Sequence, residues 1–402
     1  GASLEHGGNV TLTVYGGQRW AVTGGPLLAG HADTTGFHFS DGSTLDAAQE
    51  VLLGLRTGER AAGQFTAGSG LTAERLVLGG RGSGVLRVRE GTVQAGLLIL
   101  GETAGGHGVL DVGGAAGNIL TASGGLVVAE AGSGEMLMRH TVATVGPLQV
   151  GALAGSDGLV TVDSTSSLLI TTGDVGNDGV GVVELRAGGE LLQSQGSGIT
   201  LGGGPDGRGE LRVSGDDARV SGNTLQIGGA GEGTVTVASH GRLAVENSIL
   251  LGDQPGSHGD LLVAEGQVNA TALHVGDPEG GTGSVVIDSL SVVIVEVLEV
   301  APQSSLVGPI IELGPPGGKS RDTPGAVRTQ ELRLAAGATV DVDSLRFGEG
   351  WTLGGTGAFP FDVTNTATVD PGDSLAAGTL QVAGSYEQTP GGRLRIDVFG
   401  PG

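Results

Sequence analysis

The feature that most constrains this chain is a tract that returns along most of its length: aliphatic-x-aliphatic-Gly, a glycine-rich turn, then Gly-x-aliphatic-x-aliphatic. It reads Leu76-Val77-Leu78-Gly79, Leu98-Ile99-Leu100-Gly101, Leu148-Gln149-Val150-Gly151, Ile199-Thr200-Leu201-Gly202, Leu225-Gln226-Ile227-Gly228, Leu250-Leu251-Gly252 and Leu273-His274-Val275-Gly276. Weaker copies close at Ala129, Gly176 and Ala301, and successive closing positions lie 22 to 28 residues apart. A period in this range is the mark of a solenoid, in which each repeat buries its apolar face only against its neighbours.

Residues 225–252 display one period. A strand at 224–227 leads to the turn 228–233, a second strand at 234–237 to the turn 239–241, and a third begins at Arg242. Aliphatic residues alternate with polar residues or glycine, so one face of each strand points inward. Three short strands and three turns fit one coil of an all-β parallel β-helix, a β-solenoid with about 22–28 residues per coil. Glycine at the corners supplies positive φ and close backbone approach. Ten such coils, about 4.8 Å apart, predict a rod on the order of 45–50 Å long.

Composition supports this reading. Glycine supplies 82 of 402 residues without a Gly-x-y register, so a collagen helix is excluded. A hydrophobic fraction of 38%, regularly spaced, argues against disorder. Every Phe, Tyr and Trp lies before residue 66 or after residue 346, so the core between is built from Val, Leu, Ile and Ala. That suits a narrow lumen in which a ring in one layer would clash with the next.

The formal charge of −23 repels phosphate backbones, and the chain has no basic cluster interleaved with aromatics, which argues against nucleic acid as a partner. The acidity serves either solubility or the binding of divalent cations. Without cysteine, neither disulfides nor thiolate metal sites are possible. No apolar run is long enough for a membrane-spanning helix. The start at Gly1, without a secretory apolar region, fits a processed or excised chain, and the end at Phe399-Gly400-Pro401-Gly402 reads as a cut.

Four segments follow. Residues 1–66 form an atypical N-terminal capping segment, in which 44–57 fits either a short amphipathic helix or another strand pair. Ser43 and Asp46 resemble a capping box, and Leu45, Ala48, Leu52 and Leu55 fall at helical spacing. Residues 67–313 are the regular array. Its most apolar run, 290–300, is either a buried strand pair or an interface. Residues 314–330, rich in Gly and Pro, read as an inserted loop. Residues 331–402 resume as irregular coils in which aromatics return.

The unit Leu-x-Ile/Val-Gly, Gly-x-Gly-x-Leu/Val-x-Val, Gly-Gly-x-Leu resembles the repeat of bacterial autotransporter passengers and related exported surface proteins. The segment Asp370-Pro371-Gly372-Asp373-Ser374, followed by Gly378-Thr379-Leu380-Gln381-Val382 and Gly392-Arg393-Leu394-Arg395-Ile396-Asp397-Val398, resembles the Pro-Gly-x-Ser segment near the C-terminal end of such passengers. The resemblance spans roughly residues 67–400. It implies a right-handed parallel β-helix, export from a bacterium and an extracellular or cell-surface location. It implies no single activity, and the chain carries no β-barrel translocator of its own.

The candidate chemistry is sparse, and no catalytic, cofactor-binding or metal-ligating residue is assigned. Gly372-Asp373-Ser374-Leu375 matches a lipase and esterase signature, but no histidine follows Ser374, and a nucleophilic serine needs a base within reach. His31, Asp33 and His38 lack the spacing of a helical zinc motif and read as loop surface. His107, His140, His240, His258 and His274 are scattered among the coils. Acidic turns recur at Asp157, Asp178, Asp206 and Asp277-Pro278-Glu279, but each brings about one carboxylate where calcium needs six to eight oxygens. Calcium is therefore a weak possibility, and Asp and Gly are ordinary turn residues. A sugar-cleaving groove would need clustered carboxylates and stacking aromatics, which the array lacks; Trp351 and the later aromatics are the remaining candidates for a ligand.

The expectation is a non-enzymatic structural protein: a stalk, sheath or self-assembling filament subunit that associates end to end. The alternative is an adhesin passenger that meets a host or matrix ligand through residues 314–330 or the first 66 residues. A carbohydrate-active enzyme ranks third.

Overall fold

The computed structural model describes residues 2–4, 10–23, 25–29, 34–114, 117–194, 198–313, 326–329, 331–334, 339–347, 352–355, 357–359, 362–365, 368–371, 379–390 and 392–394. Among these every regular element is a β-strand, and the paired strands are parallel sheets wound as a β-solenoid. The chain divides into two compact units, Gly1–Val220 and Ser221–Gly402.

In the first unit a coil consists of a seven-residue strand such as Ser83–Arg89 and a longer one such as Thr92–Leu100 that turns a corner at a bulge. Strands stack in register on their counterparts in the neighbouring coils. Leu86 and Val88 lie against Leu110 and Val112, which lie against Met136 and Met138, then Val160 and Val162, then Val183 and Leu185. All ten side chains are buried in the lumen. A second row runs Leu53, Leu78, Leu100, Val128, Val150, Val175, Leu201, also buried. Each such side chain contributes roughly 1.5–3 kcal/mol. The alternation that puts one aliphatic residue in and the next out gives the lumen its layers.

Glycine closes the coil for a geometric reason. Gly54, Gly79, Gly101, Gly151, Gly176 and Gly202 have φ between 64° and 72°, a region that favours glycine. At most of them a Cβ would also overlap the main chain where the next coil's first strand begins. Ala129 occupies the same column at φ 64° and is the exception. At another corner, buried polar side chains serve the main chain of the adjacent coil. Asn118 Oδ1 accepts from the Gly91 amide at 3.2 Å, and Ser166 Oγ from the Thr141 amide at 3.3 Å. In the second unit Ser291 Oγ accepts from Gly266 at 3.2 Å. Each bond removes an unpaired buried amide, a state that costs about 1–3 kcal/mol.

Between the two readings of residues 44–57, the structure selects the strand, Thr44–Leu53, and excludes the helix. At a bulge between Ala47 and Glu50 the strand leaves Ala48 and Gln49 exposed, while Leu45, Ala47, Val51 and Leu53 face inward. The parallel ladder also runs through Thr34–Phe39 and Arg60–Thr66, within the segment set apart as a cap.

Rings do stack here. Phe39 and Phe65, both buried, lie in adjacent coils with centroids 5.2 Å apart and planes 19° from parallel. Phe37 meets Phe65 edge-on at 5.7 Å. Gly63, the residue in register with both Phe37 and Leu86, makes the room: a Cβ there would stand 2.6 Å from the Phe37 ring. The expected clash is thus relieved by omitting a side chain from the layer.

The first unit also has a small apolar cluster on the outside. Leu52, Val77 and Ile99 stack in the outward column yet are 7%, 0% and 4% exposed. Leu28, Leu55, Leu97 and Val127 pack over them. Arg75 borders the cluster, bridging Glu50 in one neighbouring coil and Glu102 in the next turn.

In the second unit Thr282–Ile287 and Val292–Val300 continue the same pattern. Val293, Val295, Leu298 and Val300 are buried, which settles most of the run 290–300 as core, although Leu290 is exposed. Of the segment 314–330, residues 314–325 lie outside the described residues, and Ala326–Thr329 is a strand paired with both Val292–Val300 and Ser305–Leu313. Farther on, Thr339–Phe347 pairs with Ser305–Leu313, and two smaller parallel sheets follow.

Candidate functional site

The coils of the first unit carry turns of two lengths in strict alternation. Long turns start at Gly54, Gly101, Gly151 and Gly202, and each is closed by an amide reaching the carbonyl three residues back. The four bonds run from Glu59 to Arg56 (3.1 Å), Gly106 to Thr103 (2.8 Å), Ser156 to Leu153 (3.0 Å) and Gly207 to Gly204 (3.0 Å). Short turns occupy 79–82, 129–132 and 176–179. Each is held by an amide donating to the glycine that opens the preceding long turn: Gly82 to Gly54, Gly132 to Gly101, Gly179 to Gly151. A short turn between two long ones leaves a notch in the ridge.

The notch over 176–179 is a groove of about 490 Å³. The long turn at Ala154, Gly155 and Ser156 walls one side and Asp206 the other, with Asp178, Gly179 and Val180 between them. Asp157 and Arg208 complete the lining. The groove thus collects three of the acidic turns read from the sequence. On the strand that leads into this short turn, burial pushes the Asp174 carboxyl above the usual carboxylate range, and the charge of Asp178 adds to the effect. Asp174 Oδ1 has no hydrogen-bond partner. The carboxylates border the groove without converging: among the described residues no group of three His, Cys, Asp or Glu is arranged to hold a metal ion. Asp277, in the second unit, accepts from the Glu279 amide and closes its own turn.

Nearer the N-terminus the same ridge is basic. Arg56 belongs to the long turn 54–59, Arg81 to the short turn 79–82, and Arg60 opens the strand that follows the long turn. Arg60 is in register with Ser83, and Ser83 with His107. The carboxylate at this corner is Glu59, which is 5% exposed and occupied with the Arg56 amide at 2.8 Å. Sequence reading missed this corner because arginines from three different tracts meet only after the coils stack.

The outward face of the first strands carries a charge ladder. Asp111 receives hydrogen bonds from Arg89 and from Arg139, the latter at 2.9 Å. Burial alone would raise the Asp111 carboxyl, but the two arginines outweigh it and hold the group below the usual carboxylate range. Glu184 with Arg186 and Glu210 with Arg212 are pairs formed along one coil rather than between coils.

The histidines stay dispersed. His38 meets Thr66 at 3.2 Å and His107 meets Ser133 Oγ at 2.8 Å. In the second unit His274 pairs with Glu299 at 2.7 Å. His258 contacts Thr282 Oγ1 at 2.9 Å and Asp260 at 3.1 Å, a hydroxyl–imidazole–carboxylate string. His258 and Asp260 are each more than two-fifths exposed, so water screens the string. His31, Asp33, Trp351 and Ser374 lie outside the described residues.

Stacked parallel coils, an aliphatic lumen and a turn ridge whose charge changes sign define a parallel β-solenoid of the repeat class. No protein-family model and no curated protein matches the chain. Among solved structures it is similar to the "Crystal structure of TibC-catalyzed hyper-glycosylated TibA55-350 fragment", at 12% identity and a TM-score of 0.27, over 97% of this chain and 98% of that one. A superposition at that level carries no argument about activity or partner.

Proposed function

We propose that this chain is a non-enzymatic structural protein of the bacterial exterior, a stalk, sheath or self-assembling filament subunit. One observation carries the reading: within the first unit, several kinds of bond join neighbouring coils. The main-chain ladder, the lumen rows, the buried Ser and Asn corners and the arginine–carboxylate ladder all serve that end. Side chains are spent on holding coils together, as a spacer requires. Assembly would continue the ladder end to end, a heterologous contact that propagates. Electron microscopy over a range of concentrations, with and without calcium, tests it. Fibres with an axial repeat near one subunit length are expected; isolated particles at every concentration would overturn the filament version.

A second reading, an adhesin passenger, draws support from the turn ridge of the first unit, which carries a groove bordered by Asp157, Asp178 and Asp206. Immobilised protein that captures a matrix or host-surface ligand while remaining monomeric would favour it.

A further inference from the structure

We propose that the basic corner of the first unit is a binding site for an anionic polysaccharide, carboxylated or sulfated, laid along the outward face of Ser83–Arg89. The inference goes beyond the structural reading and does not depend on it.

The argument starts from charge. Acidic residues outnumber basic ones by 43 to 20, so an arginine on this surface finds a carboxylate easily. Most in the first unit do: Arg19, Arg75, Arg89, Arg139, Arg186, Arg212 and Arg219 each hold one. Arg60, Arg81 and Arg87 are exposed and, among the described residues, pair with none. These three fall in two consecutive coils. Arg56 stands beside them, 60% exposed and at 3.9 Å from the buried Glu59 carboxylate. The Arg81 amide donates to the Leu55 carbonyl at 3.1 Å, which fixes the short turn next to the long one that bears Arg56. Arg60, Arg81 and Arg87 leave this corner with an excess of positive charge, which an external anion can neutralise.

Geometry selects the class of anion. Arg60 aligns with Ser83, and Arg87 lies four residues farther along that strand on the same outward side. Four residues of strand are about 13 Å. A single phosphate or sulfate cannot touch both ends; a polymer with repeated anionic groups can. Between them the surface offers the half-buried Val85; beside Arg87 in register stand the exposed Gln64, an amide suited to hydroxyl groups, and on the other side Asp111, whose carboxylate is held by Arg89 and Arg139. Planar guanidinium forks match the paired oxygens of a carboxylate, and a sulfate group presents oxygens in a similar arrangement. Nucleic acid fits less well, because no aromatic side chain is available on this face for base stacking.

The test measures binding of the whole protein to immobilised dextran sulfate and polygalacturonate, with neutral dextran and a single-stranded oligonucleotide as comparisons, at low and at physiological salt. Binding to at least one of the two anionic polysaccharides is expected, weakening as salt rises; which one binds identifies the anion. The triple variant Arg60→Ser, Arg81→Ser, Arg87→Ser should lose at least tenfold in affinity with an unchanged melting temperature. The variant Arg186→Ser, Arg212→Ser removes arginines from the same face several coils away and should stay within twofold. The proposal is overturned by absence of binding at low salt, by equal losses in both variants, or by an oligonucleotide that binds as tightly as the polysaccharides. Because monomers suffice for the measurement, failure to form fibres leaves its outcome intact.

Discussion

A Cβ placed on Gly176 would run into the main-chain carbonyl of Arg208 in the next coil. With φ at 66°, Gly176 also holds a conformation that other residues adopt at a cost of about 1–2 kcal/mol. Both terms act together in Gly176→Ala, which should lose about 3 kcal/mol. Gly105→Ala, at φ 83° with nothing within 4 Å of the added atom, should lose only about 1 kcal/mol. Ala129→Gly should gain roughly 0.5 kcal/mol, the left-handed strain removed less the entropy of glycine. Denaturant unfolding of the three variants checks the order, and equal losses for Gly176→Ala and Gly105→Ala would refute the overlap.

Phe65→Ala should cost about 3–5 kcal/mol, the usual range for a buried ring. Because coils interact mainly with their neighbours, the damage should stay local. Amide exchange is expected to accelerate in Thr34–Phe39 and Ser83–Arg89 and to stay unchanged in His258–Ala264. Gly63→Ala should be harmful too, since its added atom would stand 2.6 Å from the Phe37 ring and 2.8 Å from a Leu86 methyl.

Outward strand positions normally tolerate change, but Val77 should not. It is fully buried by the outer cluster, so Val77→Ala should cost about 2 kcal/mol. Gln149 lies three coils on in the same outward column and is exposed, so Gln149→Ala should stay within about 0.5 kcal/mol. Thermal melts of the two variants decide it.

Asp111 and Asp174 should respond to pH with opposite signs. The folded pKa of Asp111 is depressed, so its ladder contributes stability above about pH 4, the ordinary carboxylate value, and loses it as pH falls through the folded value. Asp111→Asn should therefore lower stability at pH 7, with the gap closing in acid. Asp174 is raised by burial and by Asp178, so its favourable state is protonated and is lost as pH rises through the folded value. Asp174→Asn should raise stability at pH 7, with the gain fading below about pH 4. Unfolding curves between pH 3 and 7 would contradict this if both variants shifted the same way.

The fold was legible because its signal repeats: a column such as Gly79, Gly101, Gly151 and Gly176 encodes one backbone geometry many times. Local exceptions were less so. Around Ala48 and Gln49 the bulge inserts residues between inward positions, and the outer cluster adds an apolar Leu52 on the opposite side. Together they imitate helical spacing in what is a strand. The Phe39–Phe65 stack was hidden because the room it needs comes from Gly63, a residue that looks like one more turn glycine. The basic corner and the acidic groove each join residues from separate tracts, and a sequence read along one strand cannot reveal what stacking brings side by side.

The alternation of long and short turns means that the true structural unit of residues 54–207 is a pair of coils. Excising one coil would set two turns of the same length next to each other, leaving a pair of closing bonds such as Gly132 to Gly101 without its partner. Excising two adjacent coils would restore the phase. Lineages that lengthen or shorten this solenoid should therefore do so in even steps, and an odd step should leave a scar in the ridge.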